Sequence, residues 1–252
     1  MMTPVNSRVI GEENIDAMRD LIRRGEIVTT AIDHKSLADM YTVAATAFQE
    51  GFNDLVELAT FVISVKYSKR FPTNLIKRVI KIVDIVPHTI DESKFPDKDN
   101  INQRAIEQAH NAAPGSLWVI APEGRRTAGV MEGGRYGSKE FWHGPEGSTE
   151  GRIIVPIAIE GTERQWPKGK SFVYFLRKGR YEEALFIFGK PIKVADIDEV
   201  AFKIAGGDEE LFRRYQVDVV MALIASQHLS SLYTEKFSEL VATLKNQPLF
   251  RT

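Results

Sequence analysis

The segment Leu117-Trp-Val-Ile-Ala121 is apolar at every position, and no feature of this chain restricts its fold more. Successive side chains of a strand point to opposite faces, so a strand that is apolar throughout must be covered on both sides, the situation of parallel sheets flanked by helices. The rest of the sequence supplies the covering elements. Helical periodicity at about residues 12–24, 37–52, 72–81, 99–112, 196–205 and 208–245 alternates with strand patterns. The clearest strand patterns are Ile27–Ile32, Phe61–Lys66, Ile82–Val86, Leu117–Ala121, Ile153–Ile159, Phe172–Phe175 and Leu185–Phe188. This alternation predicts an α/β fold with a central mixed, largely parallel sheet, and a helical C-terminal portion packed against it.

The 252 residues are read as one domain, 1–252, with its core over 26–194 and the helical portion over 195–252. Within that portion Phe202, Leu211, Phe212, Val219, Leu223, Leu232 and Phe237 are core candidates at helical spacing. A net charge of −1 offers no global attraction for nucleic acid, so any basic site must be local. The chain contains no cysteine, which excludes disulfides, thiolate metal sites and a cysteine nucleophile. Residues 1–25 are polar with one apolar stripe at Ile15, Met18, Leu21 and Ile22, unlike a signal peptide or an anchor. The longest apolar run, Val219–Ala225, falls well short of the ~18 residues of a membrane span. These features predict a soluble cytoplasmic protein, with peripheral contact at the inner membrane surface compatible with that address.

Four elements carry candidate chemistry. The first is Ala31-Ile-Asp-His-Lys-Ser-Leu-Ala-Asp39, which sets His34 five positions before Asp39. Five residues along a helix rotate by about 140° and rise ~7.5 Å, so these two side chains can meet only if His34 lies in the turn before a helix. Asp33 or Ser36 would cap that helix, with Asp39 in its first turn. A histidine so paired can act as a general base whose tautomer is set by the carboxylate; the alternative is a surface histidine beside an ordinary helix-starting acid. The second element, Ala121-Pro-Glu-Gly-Arg-Arg126, directly follows the buried strand. Ligands of open α/β sheets bind at such strand ends, and arginine forks suit phosphate. Glu123 would orient those arginines or bond a substrate hydroxyl. The third is the basic run Lys66-Tyr-Ser-Lys-Arg70. The fourth is Pro156, which interrupts a strand and predicts an edge, a bulge or a pocket lining. Between them Gly124–Gly151 interrupts the alternation as a long loop.

In this order Asp33-His-Lys-Ser-Leu-Ala-Asp39, Pro122-Glu-Gly-Arg-Arg126 and Val155-Pro-Ile157 resemble successive blocks of the glycerolipid acyltransferase family, over roughly residues 26–160. The resemblance implies an acyltransferase-like fold and transfer of a fatty acyl group to glycerol 3-phosphate in phospholipid biosynthesis. It also implies acyl-CoA or acyl carrier protein as donor and neither metal nor further cofactor. His34 would be the base and Asp39 its partner. Glu123, Gly124, Arg125 and Arg126 would bind the phosphorylated glycerol acceptor, and Val155 and Pro156 would fall at the acyl-side pocket. Lys69 and Arg70 look like the phosphate-holding strand end of the soluble, plastid-type members. The chain departs from the family pattern at Asp33, where asparagine is usual, at Arg125, where many members carry threonine, and at Ile82-Val-Asp-Ile-Val-Pro-His88, which does not match the second block.

Direct attack by the acceptor hydroxyl is preferred to an acyl-enzyme, because there is no cysteine and Ser36 shows no sign of activation. Backbone amides after Asp33 are the expected oxyanion donors. The alternatives are acylation of 1-acylglycerol 3-phosphate, a non-catalytic lipid- or carrier-binding domain, and thioester hydrolysis.

Overall fold

The computed structural model describes residues 5–36, 38–65, 80–86, 95–124, 134–229 and 237–247. In chain order the first half holds strand β1 (Ser7–Ile10), helix α1 (Glu12–Arg23), β2 (Ile27–Ile32), α2 (Ala38–Gln49), α3 (Asn53–Leu58), β3 (Ala59–Ser64), β4 (Lys81–Ile85), α4 (Lys98–His110) and β5 (Leu117–Ile120). The second half holds β6 (Arg152–Glu160), α5 (Thr162–Gln165), α6 (Phe172–Arg177), β7 (Ala184–Phe188), β8 (Ile192–Lys193), α7 (Val194–Ala205), α8 (Glu209–Gln227) and α9 (Ser238–Leu244). Two short 3-10 turns, Tyr136–Phe141 and Pro145–Gly147, lie within the long loop before β6.

The strands form one sheet in the order β1-β7-β6-β2-β5-β3-β4, with β8 also pairing β6. Neighbours from β6 to β4 are parallel, whereas β6 pairs antiparallel with β7 and β8. The fold is therefore α/β with a mixed, mostly parallel sheet. Among the described residues no helix is long and apolar enough to cross a membrane.

Both faces of the sheet are buried, as the uninterrupted apolar strands require. Along β6, Ile154 and Ala158 pack with the α8 residues Val219–Ala225, while Ile153, Val155, Ile157 and Ile159 pack with Ile15, Met18 and Ile22 of α1. This period-two division between two cores follows from strand geometry. The polar residues of the central strand are satisfied locally: Thr29 Oγ1 donates to Phe141 O at 3.3 Å and Thr30 Oγ1 to Trp118 O at 3.1 Å. Helix α1 starts on acids, Glu12 and Glu13, and ends on Arg23, an order that complements its dipole. Asp208 caps α8 by accepting Leu211 N–H at 2.9 Å.

Several sequence expectations need correction. Phe172–Phe175 is helix rather than strand: Phe172, Phe175 and Leu176 pack inward at helical spacing and Ser171 caps the first turn. Short apolar runs do not distinguish the two states by pattern. The predicted helix 208–245 ends at Gln227, where His228 adopts extended backbone at φ −63° and ψ 134°. Strands β1 and β8 and helix α3 were not expected; β1 is a four-residue edge strand with only one buried position, too short and too polar to show a pattern. Of the predicted helix 72–81, residues 72–79 lie outside the described residues, and Lys81 opens β4.

Pro156 lies in the sheet interior, in register with Ala31 of β2. On its other side β8 pairs with Ile153 and Ile154, and β7 pairs from Ile157 onward, so Pro156 occupies the junction between two partners, where no ladder bond needs its missing N–H. Gly189 fits against it there, donating its N–H to Pro156 O at 2.8 Å. A Cβ on Gly189 would come within 2.8 Å of the proline ring.

Candidate active site

Strands β6, β2 and β5 lie side by side and parallel, so their carboxyl ends open at one edge of the sheet. The segments leaving those ends bring together His34 after β2 and Glu123 after β5, while Glu160 closes β6. This edge is where open α/β sheets place ligands.

The centre of the site is the turn between β2 and α2. Asp39 lies in the first turn of α2, fully buried, and its Oδ2 accepts three hydrogen bonds: from Lys35 N–H and Ser36 N–H, both at 2.9 Å, and from His34 Nδ1 at 2.7 Å. One carboxylate thus folds the turn and orients the imidazole it holds. An ionised carboxylate only accepts, so Nδ1 carries the proton and Nε2 has the basic lone pair. Asp39 Oδ1 is buried with no hydrogen-bond partner among the described residues. The His34 side chain is 24% exposed, which leaves the ring reachable from solvent.

Glu123 joins the neighbouring strand to this turn. Its carboxylate, 1% exposed, accepts the His34 backbone N–H at 2.9 Å. The tight turn that delivers it uses Gly124 at φ +64°, a conformation that favours glycine. A Cβ on Gly124 would also approach Arg135 Cγ at 3.3 Å.

Ser36 is buried and structural in its bonds. Its Oγ donates to Trp166 O at 2.9 Å and accepts Ala38 N–H at 3.1 Å, so of the two expected caps it is Ser36 that closes the start of α2. The amides expected to serve an oxyanion are already engaged: His34 N–H by Glu123, and Lys35 and Ser36 N–H by Asp39. Those three donors are spent on building the turn.

Asp33 is turned away into a buried charge cluster that the sequence did not reveal. Its Oδ1 accepts Ile159 N–H at 2.7 Å, and its Oδ2 lies 2.9 Å from Lys35 Nζ and 3.1 Å from His228 Nε2. Lys35 also donates to Ile159 O. On its other side His228 Nδ1 lies 3.1 Å from Glu160 Oε1, which in turn accepts Leu229 N–H at 2.8 Å. Burial pushes the Asp33 carboxyl upward, but the Lys35 charge and the His228 contact outweigh it and hold Asp33 below the usual carboxylate value. The extra charge before the histidine is thus neutralised beneath the turn.

The fold also forms a second histidine–carboxylate pair. His143 Nε2 lies 2.9 Å from Asp198 Oδ2, and Gln216 Nε2 donates to Asp198 Oδ1 at 2.9 Å. These residues sit 55 and 18 positions apart, so no local spacing marks them. His143 is buried under α7 and α8, and its Nδ1 lies 3.0 Å from Lys139 O, which commits both ring nitrogens to protein partners.

Of the residues singled out in the sequence, the structure brings together His34, Asp39, Glu123 and Gly124. Pro156 lies lower in the sheet, level with Ala31. Lys69, Arg70, Arg125 and Arg126 lie outside the described residues. In comparisons with known proteins, no family model matches the chain and no curated protein is significantly similar to it.

Proposed function

We propose that this protein is an O-acyltransferase that moves a fatty acyl group from a thioester donor, acyl-CoA or acyl carrier protein, to a hydroxyl of glycerol 3-phosphate. The observation that carries this reading is the His34 Nδ1 to Asp39 Oδ2 contact of 2.7 Å, at the joined carboxyl ends of β2 and β5. A neutral imidazole protonated on Nδ1 presents Nε2 to an alcohol, and the buried Asp39 charge stabilises the imidazolium that forms.

In this mechanism the acceptor oxygen attacks the thioester carbonyl carbon while its proton passes to His34 Nε2. The tetrahedral intermediate then collapses with cleavage of the C–S bond, and the same proton goes from Nε2 to the departing thiolate. No protein nucleophile is required, and the burial of Ser36 between Trp166 O and Ala38 N–H argues against an acyl-serine. Glu123 has a positioning role through its bond to the His34 backbone, beside the acceptor contact that the sequence resemblance implies.

Thiol release from acyl-CoA and from acyl carrier protein, assayed with glycerol 3-phosphate, lysophosphatidate and no acceptor, tests this directly. Release that depends on glycerol 3-phosphate, with recovery of an acylated product, is the expected result. Acceptor-independent release would identify a thioesterase, and ligand binding without release a non-catalytic domain.

A further inference from the structure

Between Arg164 and Tyr181 the chain carries Arg164, Lys168, Lys170, Arg177, Lys178 and Arg180 and neither aspartate nor glutamate, although the whole chain balances 33 basic against 34 acidic residues. The structure turns this run into a surface. Helix α6 packs Phe172, Phe175 and Leu176 against Tyr41 and Trp166, so Val173 and Arg177, four positions apart, share its outer side. Val173 is 53% exposed and Tyr181 63%. Lys168, Lys170, Arg177 and Lys178 are exposed around them, and among the described residues none pairs with a carboxylate. The flanking acids are Glu163, 3.9 Å from Arg164, Glu183, 2.9 Å from Arg8, and the exposed Glu182, so the six cations of the run outnumber the acids beside it. The surface adjoins the candidate site, since Trp166 O holds Ser36 Oγ and Trp166 packs in one cluster with Ala38 and Tyr41 of α2.

We propose that the surface formed by residues 164–181 docks the protein reversibly on an anionic lipid bilayer. Lysine and arginine at its rim would meet lipid phosphates, while Val173 and Tyr181 enter the headgroup region. An acidic protein would be drawn by the same charges, but an exposed valine among cations gains most from a partner with an apolar interior. Arg180, with its guanidinium 4.7 Å from the Tyr181 ring centroid, keeps that ring beside a cation, the pairing suited to a membrane interface.

Sedimentation of the full chain with vesicles tests this without any turnover, so its failure and failure of the acyl-transfer reading are separable. The protein should sediment with mixed phosphatidylcholine and phosphatidylglycerol vesicles, not with phosphatidylcholine alone, and salt should release it. Removing three cations in Lys168→Ala, Lys170→Ala, Lys178→Ala should weaken partitioning about 100-fold, at about fivefold for each charge. Val173→Ser should weaken it further while leaving the circular dichroism melt unchanged. Equal sedimentation with neutral vesicles, unchanged partitioning of the triple variant, or retention on an acidic carrier protein without vesicle binding would overturn the proposal.

Discussion

His228 Nε2 lies 3.1 Å from Asp33 Oδ2, so the residue ending α8 is tied to the residue that precedes His34. Asp33 is therefore a structural charge, with Lys35 and His228 facing its Oδ2, Ile159 N–H on its Oδ1, and Glu160 beyond the ring of His228. Its folded value lies below the ordinary 3.8. A carboxyl depressed in this way contributes stability that is complete above its unfolded value and is lost as pH falls through the folded one. Asp33→Asn should remove that contribution and leave the buried Lys35 without its counter-charge, at a cost of about 3–5 kcal/mol near neutrality. Urea unfolding across pH should show the wild-type advantage shrinking below about pH 4. Parallel acid branches for the two proteins would exclude this role.

The Asp39 carboxylate has two duties, which two substitutions separate. In Asp39→Asn an amide oxygen can still accept from Lys35 N–H, Ser36 N–H and His34 Nδ1–H, so the turn persists, but the charge that stabilises an imidazolium is gone. Turnover should drop at least ~10²-fold with a modest loss of melting temperature, and His34→Ala should lose at least as much activity with less effect on folding. Asp39→Ala removes all three bonds and should cost substantially more stability than Asp39→Asn. If Asp39→Asn lost stability and activity in equal measure, the carboxylate would be structural only.

Much of this arrangement could be anticipated from local pattern, because helix and strand periods and the geometry of a turn before a helix are short-range properties. That reasoning predicts β2 over the span it occupies and the meeting of His34 with Asp39. It does not reach Lys35 or His228. A lysine beside a histidine in a polar turn resembles a solvated residue, yet Lys35 is buried with its ammonium against Asp33 and Ile159 O. The end of α8 is equally obscure, since Ser226-Gln-His-Leu229 contains neither glycine nor proline to stop a helix. Tertiary contacts with Asp33 and Glu160 accompany the extended backbone at His228 instead.

Glu123 offers a test of positioning as distinct from substrate contact. Its carboxylate accepts the His34 backbone N–H, a bond that a glutamine oxygen can replace. Glu123→Gln should therefore retain most of the kcat, whereas Glu123→Ala should lower it by about tenfold or more through displacement of the base. A residue that only bound acceptor would raise KM in both variants and leave kcat unchanged. Steady-state kinetics with the acceptor varied would distinguish the two, and a retained kcat in Glu123→Ala would rule out the positioning role.

The two histidine–carboxylate pairs have nearly the same spacing, 2.7 Å for His34 with Asp39 and 2.9 Å for His143 with Asp198, yet they should behave oppositely. His143 is 4% exposed and held on both ring nitrogens, beneath helices and not at a strand end. Replacing it with alanine opens space beside the fully buried Trp142 and strips one partner from Asp198 and Gln216. The loss should be about 1–3 kcal/mol of folding stability. Well below its melting temperature, His143→Ala should turn over at close to the wild-type kcat, whereas His34→Ala should be stable and inactive. Measured side by side, denaturant midpoints and kcat for the two variants should cross; a fall in kcat for His143→Ala at a temperature where it is fully folded would place the second pair in the chemistry after all.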